Sequence, residues 1–273
     1  MQSGAFYPEQ SEGEARLSPD KILFPQMIAI PAGPFAMGTG PQQIDLLLEL
    51  EDWAEEWVAR GLFAIEQPYH TLDLPGFRIA RCPVTNRQYA QFIWDSEHHP
   101  PRYWQGFRYP EGLEDHPVVD LSLEDCLAYV AWLNARSGGS YRLPNEAEWE
   151  RAARGEDGRL YPWGDAFNPW RCNTLESAHG TTTPVGAFSP SGDSPYGLAD
   201  VCGNVWEWTS SPLRSYPFDA ARALSIPLSP ETPYVMRGGA WYYSHKLARC
   251  ASREGALAAF SSQALGFRLA ADG

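Results

Sequence analysis

From residue 156 onward, the sequence contains no stretch with the regular apolar spacing of a helix. Glycine, proline and tryptophan interrupt short apolar runs throughout this half. Gly and Pro together account for 24 + 24 = 48 of 273 residues, or about 18%, where about 12% is usual, and there are 11 Trp. A core built from irregular loops needs large flat side chains and unusual backbone angles. This half therefore predicts a loop-rich globular architecture.

The overall composition excludes several classes of protein. A hydrophobic fraction of 44% is too high for a disordered chain. With 21 Lys+Arg against 34 Asp+Glu, the net charge is 21 − 34 = −13, which argues against nucleic acid or an anionic membrane as a partner. No apolar run approaches the roughly 18 residues of a membrane-spanning helix, so no membrane segment is predicted.

The first 24 residues are polar and rich in Pro, Ser, Gly and Glu. They lack the apolar centre of a signal peptide and resemble a linker between domains. We therefore predict a flexible leader or linker over 1–24, one domain over 25–273 and a cytoplasmic location. The same composition suggests that the chain is the carboxy-terminal part of a longer polypeptide, whose other domains would be its partners.

Local patterns in the first half predict strands and helices. Alternating apolar residues predict a short hairpin over 27–38 and a strand over 70–80. Leu46, Leu50, Trp53 and Trp57 recur at helical spacing, which predicts one amphipathic helix over 42–61 that ends at Gly61.

Helix capping signals predict three more helices before residue 156. Thr85 and Ser122 are suitable caps for the first two helices, and Pro144 is expected to start the third. The predicted helices cover residues 86–96, 123–137 and 144–154. A long loop, 98–117, separates the first two helices, and loops of this length inside a domain are usually functional or tightly packed.

The cysteines and histidines show no regular metal-binding spacing. The five cysteines are Cys82, Cys126, Cys172, Cys202 and Cys250. Their odd number and wide spacing favour buried, reduced thiols over a disulfide framework or a zinc ribbon. His98 and His99 precede two prolines and are predicted to lie exposed in a loop.

Nine short strings occur in a fixed order along the chain. They are IPAGPFAMG (30–38), PVTNRQYAQF (83–92), RLPNEAEWERAARG (142–155), YPWGD (161–165), TTPVGAF (182–188), SPYGLADVCGNVWEW (194–208), RGGAW (237–241), RCASR (249–253) and GFRLA (266–270). Over residues 25–270, this order and spacing resemble the formylglycine-generating enzyme, or sulfatase-modifying-factor, family. The resemblance implies an α+β, C-type-lectin-like fold of low secondary-structure content, with a few helices around small twisted antiparallel sheets.

Catalytic members of that family oxidise a substrate cysteine to formylglycine with oxygen. They bind copper(I) through two cysteines a few residues after the RGG(S/A)W string, because soft thiolates suit this ion. Here residues 242–248 include no cysteine, and Cys250 falls within the later RCASR string. We therefore expect no copper. Ergothioneine-type relatives take part of their iron ligands from a separate helical domain, which 25–273 does not contain, so iron catalysis is not expected either.

The resemblance also implies structural calcium, which prefers carboxylate, amide and carbonyl oxygens. Two sets of residues match the family sites. The first set is the Asn173 side chain, the Thr174 carbonyl, the Glu176 carboxylate and the Ala178 carbonyl, and the second is Asn204, the Val205 carbonyl and Glu207. In the alternative interpretation, Asn204 and Glu207 only tie loop backbone through hydrogen bonds, because buried polar groups need partners.

Without the copper cysteines, the region of the family pocket remains as a surface. Residues 241–265 combine aromatic, small and singly charged side chains, as recognition surfaces do. The ligand-binding candidates are Trp241, Tyr242, Tyr243, Ser244, His245, Lys246, Arg253, Glu254 and Phe260. Alternatively, Tyr242 and Tyr243 are simply core residues.

The segment from RGGAW to GFRLA is also similar to the carboxy-terminal variable region of diversity-generating-retroelement proteins. We therefore predict a non-catalytic, lectin-like module that binds a protein or small ligand through 241–265 and the 98–117 loop. The competing hypotheses are an oxygen-dependent oxidase related to formylglycine-generating enzyme and a purely structural domain.

Overall fold

The computed structural model describes residues 22–220 and 227–273, so most of the predicted leader lies outside the described residues. Within these two ranges the fold is α+β, with five α-helices and several small, mostly antiparallel sheets. None of the helices in this part has the length and apolarity to cross a membrane. The α-helices are α1 Pro41–Leu50, α2 Ala54–Ala59, α3 Asn86–Ser96, α4 Leu123–Ser137 and α5 Glu146–Arg154.

Ten short strands form two four-stranded sheets and one two-stranded sheet in the described part. The strands are β1 Met27–Ile30, β2 Gly33–Met37, β3 His70–Leu74, β4 Phe77–Ala80, β5 Tyr141–Arg142, β6 Trp206–Pro212, β7 Pro233–Arg237, β8 Arg253–Leu257, β9 Leu265–Phe267 and β10 Ala270–Asp272. The first sheet has the order β1-β4-β10-β5, the second is β2-β3 and the third is β8-β7-β6-β9. Among the ten strands of the described ranges, only β6 and β9 pair in parallel.

The predicted hairpin over 27–38 is wrong, although strands form on both sides of its centre. β1 pairs with β4 and β2 pairs with β3, so the two segments belong to different sheets. The predicted strand over 70–80 is likewise divided at Pro75–Gly76. Both segments pass from one sheet to the other at a proline-containing break, because proline cannot donate to a continuous ladder.

The single helix predicted over 42–61 is divided into α1 and α2. At the break, Glu51 has an extended conformation (φ −137°, ψ 115°). Its carboxylate accepts a hydrogen bond from Trp53 Nε1 (2.8 Å) and lies 3.0 Å from His245 Nε2. A tertiary contact with a distant loop therefore coincides with the helix break. Gly61 follows the end of α2, as predicted, and has a left-handed backbone (φ 65°).

Capping signals located the next three helices well. Thr85 Oγ1 accepts the Gln88 amide at the start of α3, and Ser122 Oγ accepts the Asp125 amide at the start of α4. At α5 the cap is Asn145 rather than Pro144, which lies one residue before the cap and two before the first helical residue, Glu146. No α-helix follows residue 155 in the described ranges, in agreement with the prediction for this half.

The largest apolar cluster joins α3 and α4 to the third sheet. Tyr89 of α3 stacks on Tyr129 of α4, with ring centroids 5.5 Å apart. Tyr129 also meets Phe267 of β9 edge to face at 5.5 Å. Full burial of side chains of this size contributes about 1.5–3 kcal/mol each, so this cluster anchors the irregular half to the helices.

Buried ion pairs form a second kind of core. The Glu207 carboxylate receives a two-pronged hydrogen bond from Arg268, with both N–O distances at 2.6 Å, and a third from Trp149 Nε1 at 2.7 Å. Arg237 Nη2 contacts Glu150 at 2.8 Å and Glu146 at 3.3 Å. These charged side chains are almost completely enclosed.

A third buried ion pair joins the helix-rich half of the chain to the loop-rich half. Arg249 donates to both oxygens of Glu66 at 2.7 and 2.9 Å. Burial raises the pKa of the Glu66 carboxyl, but Arg249 outweighs this effect and keeps that pKa below its ordinary value. The Arg249 guanidinium also lies over the rings of Trp57 and Phe63, at 5.3 Å from each centroid.

We predict that Glu207→Gln lowers the free energy of unfolding by about 3 kcal/mol or more, because it leaves the Arg268 cation buried without a counter-charge. Urea denaturation followed by tryptophan fluorescence measures the change. Glu56→Gln is the matched control, since its pair with Arg60 is exposed (side chains 63% and 61%) and should change stability by about 0.5 kcal/mol or less. Equal effects of the two substitutions would contradict this assignment.

Candidate functional site

Three loops that are distant in sequence are joined by backbone hydrogen bonds. Asn204 N donates to Asn173 O at 2.7 Å, and Gly203 N donates to Gly238 O at 2.7 Å. Trp241 N in turn donates to Asn204 O at 3.1 Å. Gly203 has a φ of +79°, and a side chain there would collide with the Asn173 carbonyl. The glycine of GNVWEW therefore lets the loops meet.

The first predicted calcium set and the predicted ligand segment meet at Glu176. Leu175 N donates to Tyr243 O at 2.9 Å, which places the two loops side by side. The Glu176 carboxylate accepts hydrogen bonds from Ser244 Oγ (2.8 Å) and His245 N (3.1 Å). Burial raises the pKa of Glu176, but hydrogen bonds from His245 and Ser244 help to bring it below its ordinary value. This carboxylate is therefore held in its ionised form.

His245 is enclosed by groups that sequence reasoning did not find. Its Nδ1 lies 2.9 Å from Glu176 Oε1, and its Nε2 lies 3.0 Å from Glu51 Oε2. Trp53 Nε1 lies 3.2 Å from the same Nε2, and the ring of Phe167 stacks on the imidazole at 4.0 Å. No local pattern links Glu51 to a residue nearly two hundred positions later, so the sequence carried no signal for this contact.

The aromatic residues that begin the predicted ligand segment form a connected row. Trp241 meets Tyr242 edge to face at 4.8 Å, and Tyr242 stacks on Tyr243 at 4.5 Å. All three are half-buried and pack against the main apolar cluster. Tyr242 and Tyr243 were predicted to be either recognition residues or core residues. Each side chain serves the core with one part and faces solvent with the rest.

The other ligand-binding candidates divide into exposed and buried groups. Glu254 is exposed, Phe260 is 47% exposed, and Lys246 Nζ lies 6.0 Å from the centre of the Trp57 ring. Arg253 is only 2% exposed and donates to Glu146 at 2.8 Å. Its guanidinium is thus committed to the buried ion-pair network, so the placement of Arg253 among ligand contacts is corrected.

The 98–117 loop reaches the far end of segment 241–265. Arg102 Nη2 donates to Ser261 Oγ at 2.7 Å, and Ser261 Oγ donates to Asp120 Oδ1 at 2.9 Å. Exposed aromatic surface occurs on both sides of this contact, at Phe107 (55%) and at Phe260. The two parts of the predicted recognition surface are therefore neighbours.

The first calcium set contains one buried oxygen that has no hydrogen-bond donor. Asn173 is buried, and its Oδ1 is a buried acceptor without a hydrogen-bond donor, while its Nδ2 donates to the Thr181 carbonyl at 2.9 Å. An ion would satisfy such an oxygen. Thr174 is also buried, and Ala178 has a left-handed backbone (φ 58°) that turns the loop. The ionised Glu176 supplies the charge that calcium requires.

The second calcium set does not fit. Glu207 has its charge neutralised by the buried Arg268 guanidinium, which donates to both of its carboxylate oxygens. Asn204 Oδ1 accepts from Thr183 N at 3.0 Å and from Asn173 Nδ2 at 3.3 Å, while Asn204 Nδ2 donates to Thr183 O at 3.1 Å. Val205 is buried beside them. Asn204 therefore ties loop backbone, and Glu207 belongs to the ion-pair core.

The described residues provide no thiolate pair at the family's copper position. Cys126, Cys172, Cys202 and Cys250 are buried, whereas Cys82 is half-buried, which agrees with the prediction of buried, reduced thiols. Burial raises the pKa of Cys250 to about 12, so this thiol stays protonated at neutral pH. A copper(I) site needs ionised sulfurs, and this set does not fit it.

Curated relatives include two kinds of enzyme. The chain is 32% identical to hercynine oxygenase of Mycolicibacterium smegmatis, over 78% of this chain and 54% of the relative. It is also 32% identical to formylglycine-generating enzyme of Thermomonospora curvata, over 94% of this chain and 96% of the relative. The chain therefore spans about half the length of the hercynine oxygenase and nearly the whole length of the second relative.

Solved structures share the fold at lower sequence identity. PvdO from Pseudomonas aeruginosa has a TM-score of 0.73 and 24% identity, covering 91% of this chain and 95% of that chain. Treponema denticola variable protein 1 has a TM-score of 0.69 and 19% identity, covering 90% and 95%. These similarities establish the fold, which is α+β and C-type-lectin-like.

A family model for the sulfatase-modifying factor enzyme 1-like domain matches residues 13–273. The nine ordered strings, the fold and the relatives agree with that match. The chain belongs to the sulfatase-modifying factor, or formylglycine-generating-enzyme-like, family.

Proposed function

We propose that this chain is a non-catalytic recognition module that binds a protein or small ligand through the surface around residues 241–265. The observation that carries the proposal is the stretch 241–245. At the place where catalytic relatives carry copper cysteines, it presents half-exposed aromatic rings followed by Ser244 and His245. Aromatic side chains supply large contact area at small entropic cost, which suits recognition.

The polar part of this surface is already ordered. Glu176 holds Ser244 and His245, and Glu51 holds the other side of the His245 ring. A surface fixed in advance loses little conformational entropy when it binds a ligand. Next to it, Leu175 is 57% exposed, and Trp170, on the neighbouring short helical turn, is 85% exposed. Exposed apolar groups of this size favour a binding role.

The similarity to a variable protein of the same fold supports a recognition role. The segment between RGGAW and GFRLA contains several side chains that adenine mutagenesis of Asn codons yields. These are Tyr242, Tyr243, Ser244, His245, Leu247, Gly255, Ala256, Leu257, Phe260 and Ser261. Lys246, Glu254 and Gln263 do not arise by that route. A reverse transcriptase and a template repeat near the gene would support variability, and their absence would contradict it.

We predict that Tyr242→Ala weakens binding of any ligand found on peptide or glycan arrays by about tenfold or more, the usual effect of truncating a central aromatic anchor. Isothermal titration of the purified ligand measures the affinity. Tyr69→Ala is the matched control, because Tyr69 is an exposed tyrosine outside the segment and should leave affinity unchanged. Equal losses for both variants, or no loss for Tyr242→Ala, would contradict the proposed surface.

The alternative function is an oxygen-dependent oxidase, which the identity to a formylglycine-generating enzyme favours. Copper(I) titration and oxygen consumption with a cysteine-containing peptide distinguish the two functions. We expect no stoichiometric copper binding and no oxygen uptake above the peptide-only control, because residues 242–248 contain no cysteine and burial keeps the Cys250 thiol protonated. Tight copper binding with oxygen uptake would contradict the recognition proposal and favour the oxidase.

We also propose that the first calcium set holds a structural ion. Asn173 Oδ1, the Thr174 and Ala178 carbonyls and the Glu176 carboxylate are the hard oxygens that calcium prefers. The buried, unpaired Asn173 acceptor supports this choice. Because Glu176 also contacts Ser244 and His245, an ion there would stabilise the base of the recognition surface.

Removal of calcium should lower the melting temperature. A ligand present at about 100 times its Kd stabilises by about 2.7 kcal/mol, which corresponds to about 5 °C or more for a domain of this size. Differential scanning calorimetry with EDTA and then with excess calcium measures the shift. Glu176→Gln should abolish the response to calcium, whereas Glu231→Gln, at an exposed loop position, should keep it. An unchanged melting temperature of the wild-type protein would refute the calcium proposal.

A further inference from the structure

Two histidines and one aspartate converge where the chain leaves α3 and enters the 98–117 loop. His98 Nε2 lies 2.8 Å from Asp125 Oδ1, and His99 Nε2 lies 3.2 Å from the same oxygen. One potential ligand atom from each residue lies within 4.8 Å of the other two. This cluster uses no residue of 241–265 and no residue of the calcium sets, although its two histidines begin the 98–117 loop. The expectation that both histidines lie exposed in a loop did not anticipate it.

Hydrogen bonds within the protein already fix the orientation of the Asp125 carboxylate. It is 7% exposed, and its Oδ2 accepts hydrogen bonds from Ser122 N (2.9 Å) and Ser122 Oγ (2.7 Å). Its own amide donates back to Ser122 Oγ at 3.1 Å, which completes the cap of α4. One carboxylate oxygen thus holds the helix start, while the other faces the imidazoles. Metal ligands are commonly oriented by such outer hydrogen bonds.

The two imidazoles are held side by side. His98 N contacts Ser96 Oγ at 3.3 Å, and the His98 ring packs against Phe92 with centroids 4.9 Å apart. The His98 and His99 rings are 4.4 Å apart. The side chain of His99 is 73% exposed, so the cluster is open to solvent on one side. An ion can therefore enter, and water can complete its coordination.

The donor set selects the class of ion. Two imidazole nitrogens with one carboxylate oxygen suit borderline divalent transition metals, whereas calcium and magnesium prefer oxygen ligands alone. In a tetrahedral zinc site, bonds of about 2.0–2.1 Å place two ligand atoms roughly 3.3 Å apart. The observed nitrogen–oxygen distances of 2.8 and 3.2 Å are close to that value. Small side-chain adjustments would convert the hydrogen-bonded cluster into an ion-binding one.

We propose that His98, His99 and Asp125 bind one divalent transition-metal ion, with zinc as the best match and water in the remaining position. The ion fastens the beginning of the 98–117 loop to the amino-terminal end of α4. Three protein ligands with an open position match zinc sites that retain a bound water. The proposal uses none of the residues in 241–265 and none of the calcium ligands, so its failure would leave the recognition and calcium proposals standing.

Isothermal titration of tag-free, EDTA-treated full chain with zinc chloride, in saturating calcium, tests the proposal. We expect one zinc per chain and a rise in melting temperature. His99→Ala should weaken zinc binding by about tenfold or more, because it removes one of three ligands while leaving the α4 cap intact. His179→Ala is the matched control, since His179 is also exposed and lies outside the cluster.

Cobalt(II) gives a second readout that does not depend on stability. Bound at two nitrogens and one oxygen, it should produce visible absorption bands in the wild-type protein and the His179→Ala variant, but not in the His99→Ala variant. His98→Gln should lose the bands as well. Absence of stoichiometric zinc binding, or zinc binding that His99→Ala leaves unchanged, would overturn the proposal and would show that the cluster is a hydrogen-bonded helix cap only.

Discussion

Four arginines of the carboxy-terminal part are enclosed by protein, and each one meets a buried glutamate. They are Arg237, Arg249, Arg253 and Arg268. Moving a charge out of water costs several kcal/mol, and only close, well-aligned partners offset that cost. The loops of this half cannot shift without separating these pairs. The ion pairs therefore fix an architecture that has little regular secondary structure of its own.

The same pairs explain much of the sequence pattern that identifies the family. RGGAW, RCASR and GFRLA contribute the arginines, while PNEAEWERAAR and GNVWEW contribute Glu146, Glu150 and Glu207. These strings specify how distant segments are held together. Their presence therefore indicates the fold, whereas residues 242–248, directly after RGGAW, contribute to none of these arginine–glutamate pairs and include no cysteine. A chain can therefore carry all nine strings and still vary in that stretch.

Local signals predicted what depends on local contacts. The α3 and α4 helices follow from Thr85 and Ser122, because a cap and its helix are adjacent in sequence. The division of the 42–61 helix and the pairing of β1 with β4 depend on partners far along the chain, so periodicity could not reveal them. For the same reason the sequence suggested Arg253 as a ligand contact and Glu207 as a calcium ligand, although both lie in buried ion pairs. No local pattern shows that a charged residue will be buried. The aromatic row was predictable because its composition alone distinguishes it.

The last strand has a consequence for the order of events during synthesis. β10 lies between β4 and β5, although it follows every other described element, and Ala270 pairs with Ile79 on one side and Arg142 on the other. During synthesis on the ribosome, β4 and β5 therefore emerge with unpaired backbone groups on the edges that β10 later occupies. Such edges invite mispairing, and contacts of this sequence separation form slowly. The first sheet must consequently close late, after nearly all of the domain has been translated.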